Sequence, residues 1–229
     1  MAFKVKTDFV GLSAKLPALK IKSSSDGRSA SIAEATNIDG DIVAAEVYGE
    51  TVSPTCEYEL IAAMGENAEI ELGAVNTVGE EKIILSGLEI ATAAGAAPTF
   101  SANGADVGTA PVDGLKTYKV SIAGLTLKHS AQILFGAFEL SGDGCHPTSA
   151  NYSLSGEITT ATVEGKVVSV DISSGRIECS VSVVATGAAE PQLTPGEGWK
   201  VHSPLACSNP DGDYPTYSAT LVKYLTKAA

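Results

Sequence analysis

Short runs in which polar and apolar residues alternate one by one recur along this chain, and they restrict what it can fold into. Cys56-Glu57-Tyr58-Glu59-Leu60 sets Cys56, Tyr58 and Leu60 on one side and two carboxylates on the other. Ala68-Glu69-Ile70-Glu71-Leu72 repeats the pattern, as does Leu88-Glu89-Ile90. A period of two suits a strand with one buried face, because successive side chains leave a pleated backbone in opposite directions. Further strands are predicted within residues 42–44, 82–85, 119–123, 158–163, 166–172, 176–185 and 217–225. Turn signals such as Asp39-Gly40, Ser86-Gly87, Asn103-Gly104, Asp113-Gly114, Ser174-Gly175 and Asp211-Gly212 separate them. The expected fold is mainly β: a sandwich or barrel of short antiparallel strands.

One segment breaks the pattern. Ile133, Leu134, Ala137 and Phe138 recur at helical spacing, and Ser130 can serve as an N-cap. A short α-helix is therefore predicted near residues 129–138. A weak internal similarity also runs through the chain. Glu34–Ala44, Cys56–Leu60, Gly95–Pro98 and Thr117–Ile122 find counterparts, in the same order, at Thr160–Ser169, Cys179–Val183, Gly187–Pro191 and Thr216–Leu221. The gaps between blocks are unequal. A β-domain over residues 29–229 is expected, with a duplication of two halves (32–128 and 147–229) left open.

Charge is unevenly distributed. The 229 residues carry a net charge of −12. Residues 1–28 hold Lys4, Lys6, Lys15, Lys20, Lys22 and Arg28 against Asp8 and Asp26, a net +4 that leaves −16 on the rest. An extended basic N-terminal arm on an acidic body suggests that these six residues meet a neighbouring copy, the alternative being a solvated terminus. An acidic body repels phosphates, so sequence-specific nucleic-acid binding is not expected. No apolar run reaches the roughly 18 residues of a membrane span, and residues 1–8 carry no apolar signal-peptide core. Cys56, Cys145, Cys179 and Cys207 form no CxxC pair or zinc spacing, so free, mostly buried thiols are expected.

Catalytic patterns are missing from the sequence. His129, His146 and His202 are the acid–base candidates near neutral pH, and none belongs to a metalloprotease-type motif. Cys145 and His146 are adjacent, and in an extended segment neighbours face apart. No phosphate-binding glycine loop and no G-x-S-x-G elbow occur. Asp211 and Asp213 flank a glycine but lack the downstream glutamate of a calcium loop. No enzyme activity, cofactor or metal is therefore predicted. Trp199 is read as a core or interface anchor rather than a sugar platform. Glu57, Glu59, Glu69 and Glu71 stand on polar strand faces, which either meet water or line a channel.

The layout resembles that of the major tail-tube proteins of long-tailed phages: a basic N-terminal arm, many short strands, one short helix between strand groups and an acidic body. The resemblance implies a ring-forming homo-oligomer, hexamer or trimer, assembled in the host cytoplasm and stacked into the virion. Its partners would be copies of itself and other virion proteins, with DNA only as passing cargo and no membrane. The glutamates at 57, 59, 69 and 71 would then face the lumen. Other structural modules (a capsid decoration protein, a tail-tip or baseplate ring, an adhesin subunit) share the same strand pattern.

Overall fold

The computed structural model describes residues 6–36, 41–163, 166–187, 189–208 and 214–228. The fold is mainly β, as the alternation requires. The strands are β1 (Leu19–Ser25), β2 (Arg28–Thr36), β3 (Ile42–Val52), β4 (Thr55–Leu60), β5 (Glu69–Leu72), β6 (Val75–Val78), β7 (Glu81–Ala93) and β8 (Thr99–Asp106). They continue with β9 (Tyr118–Ser121), β10 (Phe138–Ser141), β11 (Cys145–Val163), β12 (Lys166–Ala185), β13 (Gln192–Pro195), β14 (Lys200–Ser208) and β15 (Thr216–Tyr224). Nine of them form one antiparallel sheet in the order β1-β4-β8-β7-β11-β12-β15-β14, with β6 alongside β7. Among the described residues three two-stranded sheets accompany it: β2–β3, β5–β9 and β10–β13.

The register of the large sheet lines up its apolar residues. One row runs Ile21, Tyr58, Phe100, Ile90, Tyr152, Cys179, Leu221 across seven strands. The next inward row carries Cys56, Ala102, Leu88, Leu154 and Ile177. Apart from half-buried Ile21 at the edge, these side chains are buried. Over this face lies the β5–β9 pair, which turns Ile70, Leu72, Tyr118 and Val120 inward to complete a two-layer, sandwich-like core. Contact between the layers is close at Gly175 of β12, where a Cβ would sit 2.7 Å from the Tyr118 ring, so only glycine fits.

The predicted helix near 129–138 is not there; the short helix is α1 (Leu12–Lys15) instead. Side chains from the sheet take the hydrogen bonds that a helix at 129–138 would have used. The Gln132 amide donates to Thr92 Oγ1 at 3.0 Å, and the Tyr152 hydroxyl donates to the Gln132 carbonyl at 3.1 Å. The Leu134 amide donates to that same hydroxyl at 2.8 Å. Phe135 and Gly136 adopt φ of 58° and 56°, a left-handed turn no α-helix contains. Leu134, Ala137 and Phe138 are buried nonetheless, so burial explains the apolar spacing and the helical period does not.

The basic N-terminal segment is likewise built into the body over residues 8–25. Val10, Leu12, Leu16 and Leu19 are core residues, and β1 pairs with β4 from Leu19↔Leu60 to Ser25↔Thr55. The Asp8 carboxylate holds the entry to α1: it accepts from the Gly11 and Ser13 amides at 2.8 Å and from the Ser13 and Tyr58 hydroxyls at 2.5 Å. The two proposed halves share one sheet, joined by β7 and β11 from Gly87↔Ser155 to Ala93↔Ser149. Their last matching blocks differ in role, since β9 pairs with β5 in the second layer while β15 joins the large sheet.

Candidate functional site

No layer covers the outer face of the nine-stranded sheet among the described residues. Its central row reads Ser23, Glu57, Ser101, Glu89, Ser153, Glu178, serine and glutamate alternating across six strands. The next outward row carries Lys20, Glu59, Thr99, Ala91, Asn151, Ser180 and Thr220. Every one of these side chains is exposed or half-buried. The alternation explains the arrangement: the strands that bury Tyr58, Ile90 and Cys179 must present Glu57, Glu89 and Glu178 on the reverse side.

Short polar neighbours hold the carboxylates in place. Ser23 Oγ donates to Glu57 at 2.7 Å, and Asn151 Nδ2 donates to Glu89 at 2.5 Å. Lys20 Nζ lies 3.7 Å from Glu59, so one end of the face is neutralised within the chain. Arg176 and Lys200 add positive charge toward the opposite margin. The four glutamates named from the sequence do not share a surface. Glu57 and Glu59 point out of the large sheet, whereas Glu69 and Glu71 point out of the β5–β9 layer on the other side of the core. Glu71 is engaged there by the Thr117 hydroxyl at 2.6 Å. Glu89 and Glu178 are the true companions of Glu57, and their strand parity was the available signal.

The six basic residues scatter too. Lys4 lies outside the described residues. Lys6, Lys15 and Lys22 are exposed, and Lys20 is tied to Glu59. The Arg28 guanidinium sits 3.1 Å from Asp26 and 4.0 Å from Glu81, and these carboxylates, Asp26 first, raise its pKa further. Arg28 is thus anchored to its own chain.

His129, His146 and His202 are all exposed; His146 and His202 occupy different strands at different levels of the sheet. Cys145 and His146 follow each other along β11 and face apart, as extended backbone dictates. Cys56 and Cys179 are buried, Cys145 is half-buried and Cys207 is exposed. Burial pushes the Cys179 thiol up to about 12. Among the described residues no group of three or more His, Cys, Asp or Glu is placed to hold a metal ion. Trp199 is buried, and its indole nitrogen donates to the Phe135 carbonyl at 3.2 Å, an anchor role.

Fold and surface together define a mainly β chain whose most extensive organised polar feature, among the described residues, is a sheet face. A scan against protein-family models finds no match, and a search of curated proteins finds no similar sequence.

Proposed function

We propose that this chain is a structural virion protein, a tail-tube subunit that self-assembles into stacked rings around a DNA conduit. The observation that carries the reading is the Ser/Glu face of the nine-stranded sheet. A channel wall for DNA has two requirements: it must repel phosphates, and it must offer no stacking platform to bases. Glu57, Glu89 and Glu178 meet the first. Serine, threonine and alanine between them serve the second over the central strands, whose aromatics (Tyr58, Phe100, Tyr152) face the core; exposed Tyr224, level with Arg176 at the β15 margin, is the one aromatic placed on this face among the described residues. Lys20 is held by Glu59 at one margin of the face, and Arg176 and Lys200 stand at the other.

On this reading the protein catalyses no reaction and needs no cofactor. Its partners are further copies of itself and neighbouring virion proteins. The test is electron microscopy of the purified full chain at rising concentration. Rings or tubes with an open central channel are expected. A protein that sediments as a monomer at every concentration would sink the proposal.

A further inference from the structure

Beyond Tyr224 the chain stops pairing along the large sheet and crosses between the two layers. β15 leaves its ladder opposite Arg176, whereas β12 reaches back to Lys166 with no strand on that side among the described residues. The β9 strand is open as well, since it pairs only with β5. Open strand edges in native proteins are commonly covered by a loop or a helix. Residues 225–228 bridge these two edges. The Leu225 amide donates to the Gly175 carbonyl of β12 at 2.8 Å, and the Ala228 amide donates to the carbonyl of Thr117, one residue before β9, at 2.8 Å. The two bonds bracket the place where the Tyr118 ring packs on Gly175.

Two side chains add to this hold. Lys227 Nζ donates to Asp171 Oδ1 of β12 at 2.8 Å, and that ammonium keeps the Asp171 carboxyl below its usual range. Neither group has a second ion-pair partner among the described residues. The pair lies at the surface, so dissolved salt screens it. Leu225 is half-buried and lines a cleft of about 450 Å³ together with Val120, Phe135 and Ile177. The segment belongs to no ladder and has no regular structure, so it can open while every strand stays in its sheet.

We propose that residues 225–228 are a strap that fastens the β5–β9 layer to the large sheet and lifts without unfolding the large sheet, with the Lys227–Asp171 pair as its salt-sensitive pin. Closed, the strap occupies the Thr117 carbonyl ahead of β9 and the Gly175 carbonyl on the β12 edge. Lifted, it frees both carbonyls and uncovers the cleft that Leu225 lines. The device is independent of the tube reading, since it works within a single copy.

Residue-resolved hydrogen exchange on the full chain tests it, because the Leu225 and Ala228 amides report the strap directly. Lys227→Met and Asp171→Asn should each speed exchange at these two amides roughly two- to five-fold, the scale of a surface ion pair, and leave β7 and β11 unchanged. Raising NaCl to about 0.5 M should do the same to the wild type and little to Lys227→Met. Asp171→Lys and Lys227→Asp should each open the strap further, and the two combined should close it again. Leu225→Ala, which removes the apolar hold, should speed the strap amides about ten-fold and the protected amides of β5 and β9 with them. Strap amides that no variant moves would overturn the proposal. So would quickening that spreads equally to β7 and β11, which would mean that the segment opens only with the whole fold. A swapped pair no slower than the single reversals overturns the pin, and β5 and β9 amides unmoved by Leu225→Ala overturn the fastening role.

Discussion

At the residue level, buried hydroxyls and thiols do the holding. Tyr58 and Tyr152 sit inside the core, and burial raises both phenols well above the usual tyrosine range, with Asp8 adding to the effect at Tyr58. Cys179 lies beside Tyr152, and its thiol is raised from 9.0 to about 12 by burial. A group whose pKa is higher in the folded than in the unfolded chain stabilises the fold fully below the unfolded value. That contribution fades as pH climbs toward the folded value, because only the unfolded chain releases the proton. The wild type should therefore lose stability from about pH 9 upward, with Cys179 alone accounting for roughly 2 kcal/mol by about pH 10.5. Urea midpoints at neutral and alkaline pH measure this. Cys179→Val should flatten part of the slope, and an unchanged midpoint in the wild type would count against the buried-thiol account.

At the level of elements, the segment between Leu125 and Phe138 shows why a helical pattern misleads. It is a covering loop for the sheet, and Tyr152 is its clamp. One hydroxyl serves two backbone groups, the Gln132 carbonyl and the Leu134 amide. The Phe135 ring packs edge-on against the Tyr152 ring with centroids 5.2 Å apart. Tyr152→Phe keeps the ring contact, leaves the Leu134 amide without a partner and leaves the Gln132 carbonyl only the 3.4 Å bond from Thr92 Oγ1, so it should cost about 2 kcal/mol. Hydrogen exchange should quicken at the Leu134 amide far more than at β7 or β11; uniform quickening would mean that the loop is not a separately clamped unit. Nothing in the sequence announced this clamp, because Tyr152 and Gln132 are linked only through the fold. What could be read was the two-fold period: the strands at Cys56–Leu60, Glu69–Leu72 and Tyr118–Ser121 stand where alternation puts them. The N-terminal segment misled for a related reason. Its lysines drew attention to charge, while Val10, Leu12, Leu16 and Leu19 were fixing it in the core. Spacing along the chain likewise could not tell that Glu69 and Glu71 belong to the opposite layer from Glu57 and Glu59, since that depends on which sheet each strand joins.

For the whole molecule, the question is how one sheet can build a wall. The nine-stranded sheet uses its two faces for different tasks: Tyr58, Phe100, Ile90, Tyr152 and Cys179 make the core, and Glu57, Ser101, Glu89, Ser153 and Glu178 make the free surface. Both edges of the sheet are irregular. β1 has a bulge between Ile21 and Ser23, and β14 shifts register twice around Pro204. Bulges and an edge proline discourage simple strand addition at both ends of the sheet. The free face can be tested apart from assembly. Glu57→Lys, Glu89→Lys and Glu178→Lys together replace the acidic row with a basic one without touching the core. The wild type should show no binding to a short DNA duplex in fluorescence anisotropy, at low or physiological salt. The triple variant should bind at low salt and release as salt rises, because neutralising phosphates liberates counterions. If the wild type itself binds DNA with a steep salt dependence, the face is a nucleic-acid platform and a sliding wall is the wrong picture. If the triple variant remains inert, the row is too well screened by Lys20, Arg176 and Lys200 for its charge to govern what passes over it.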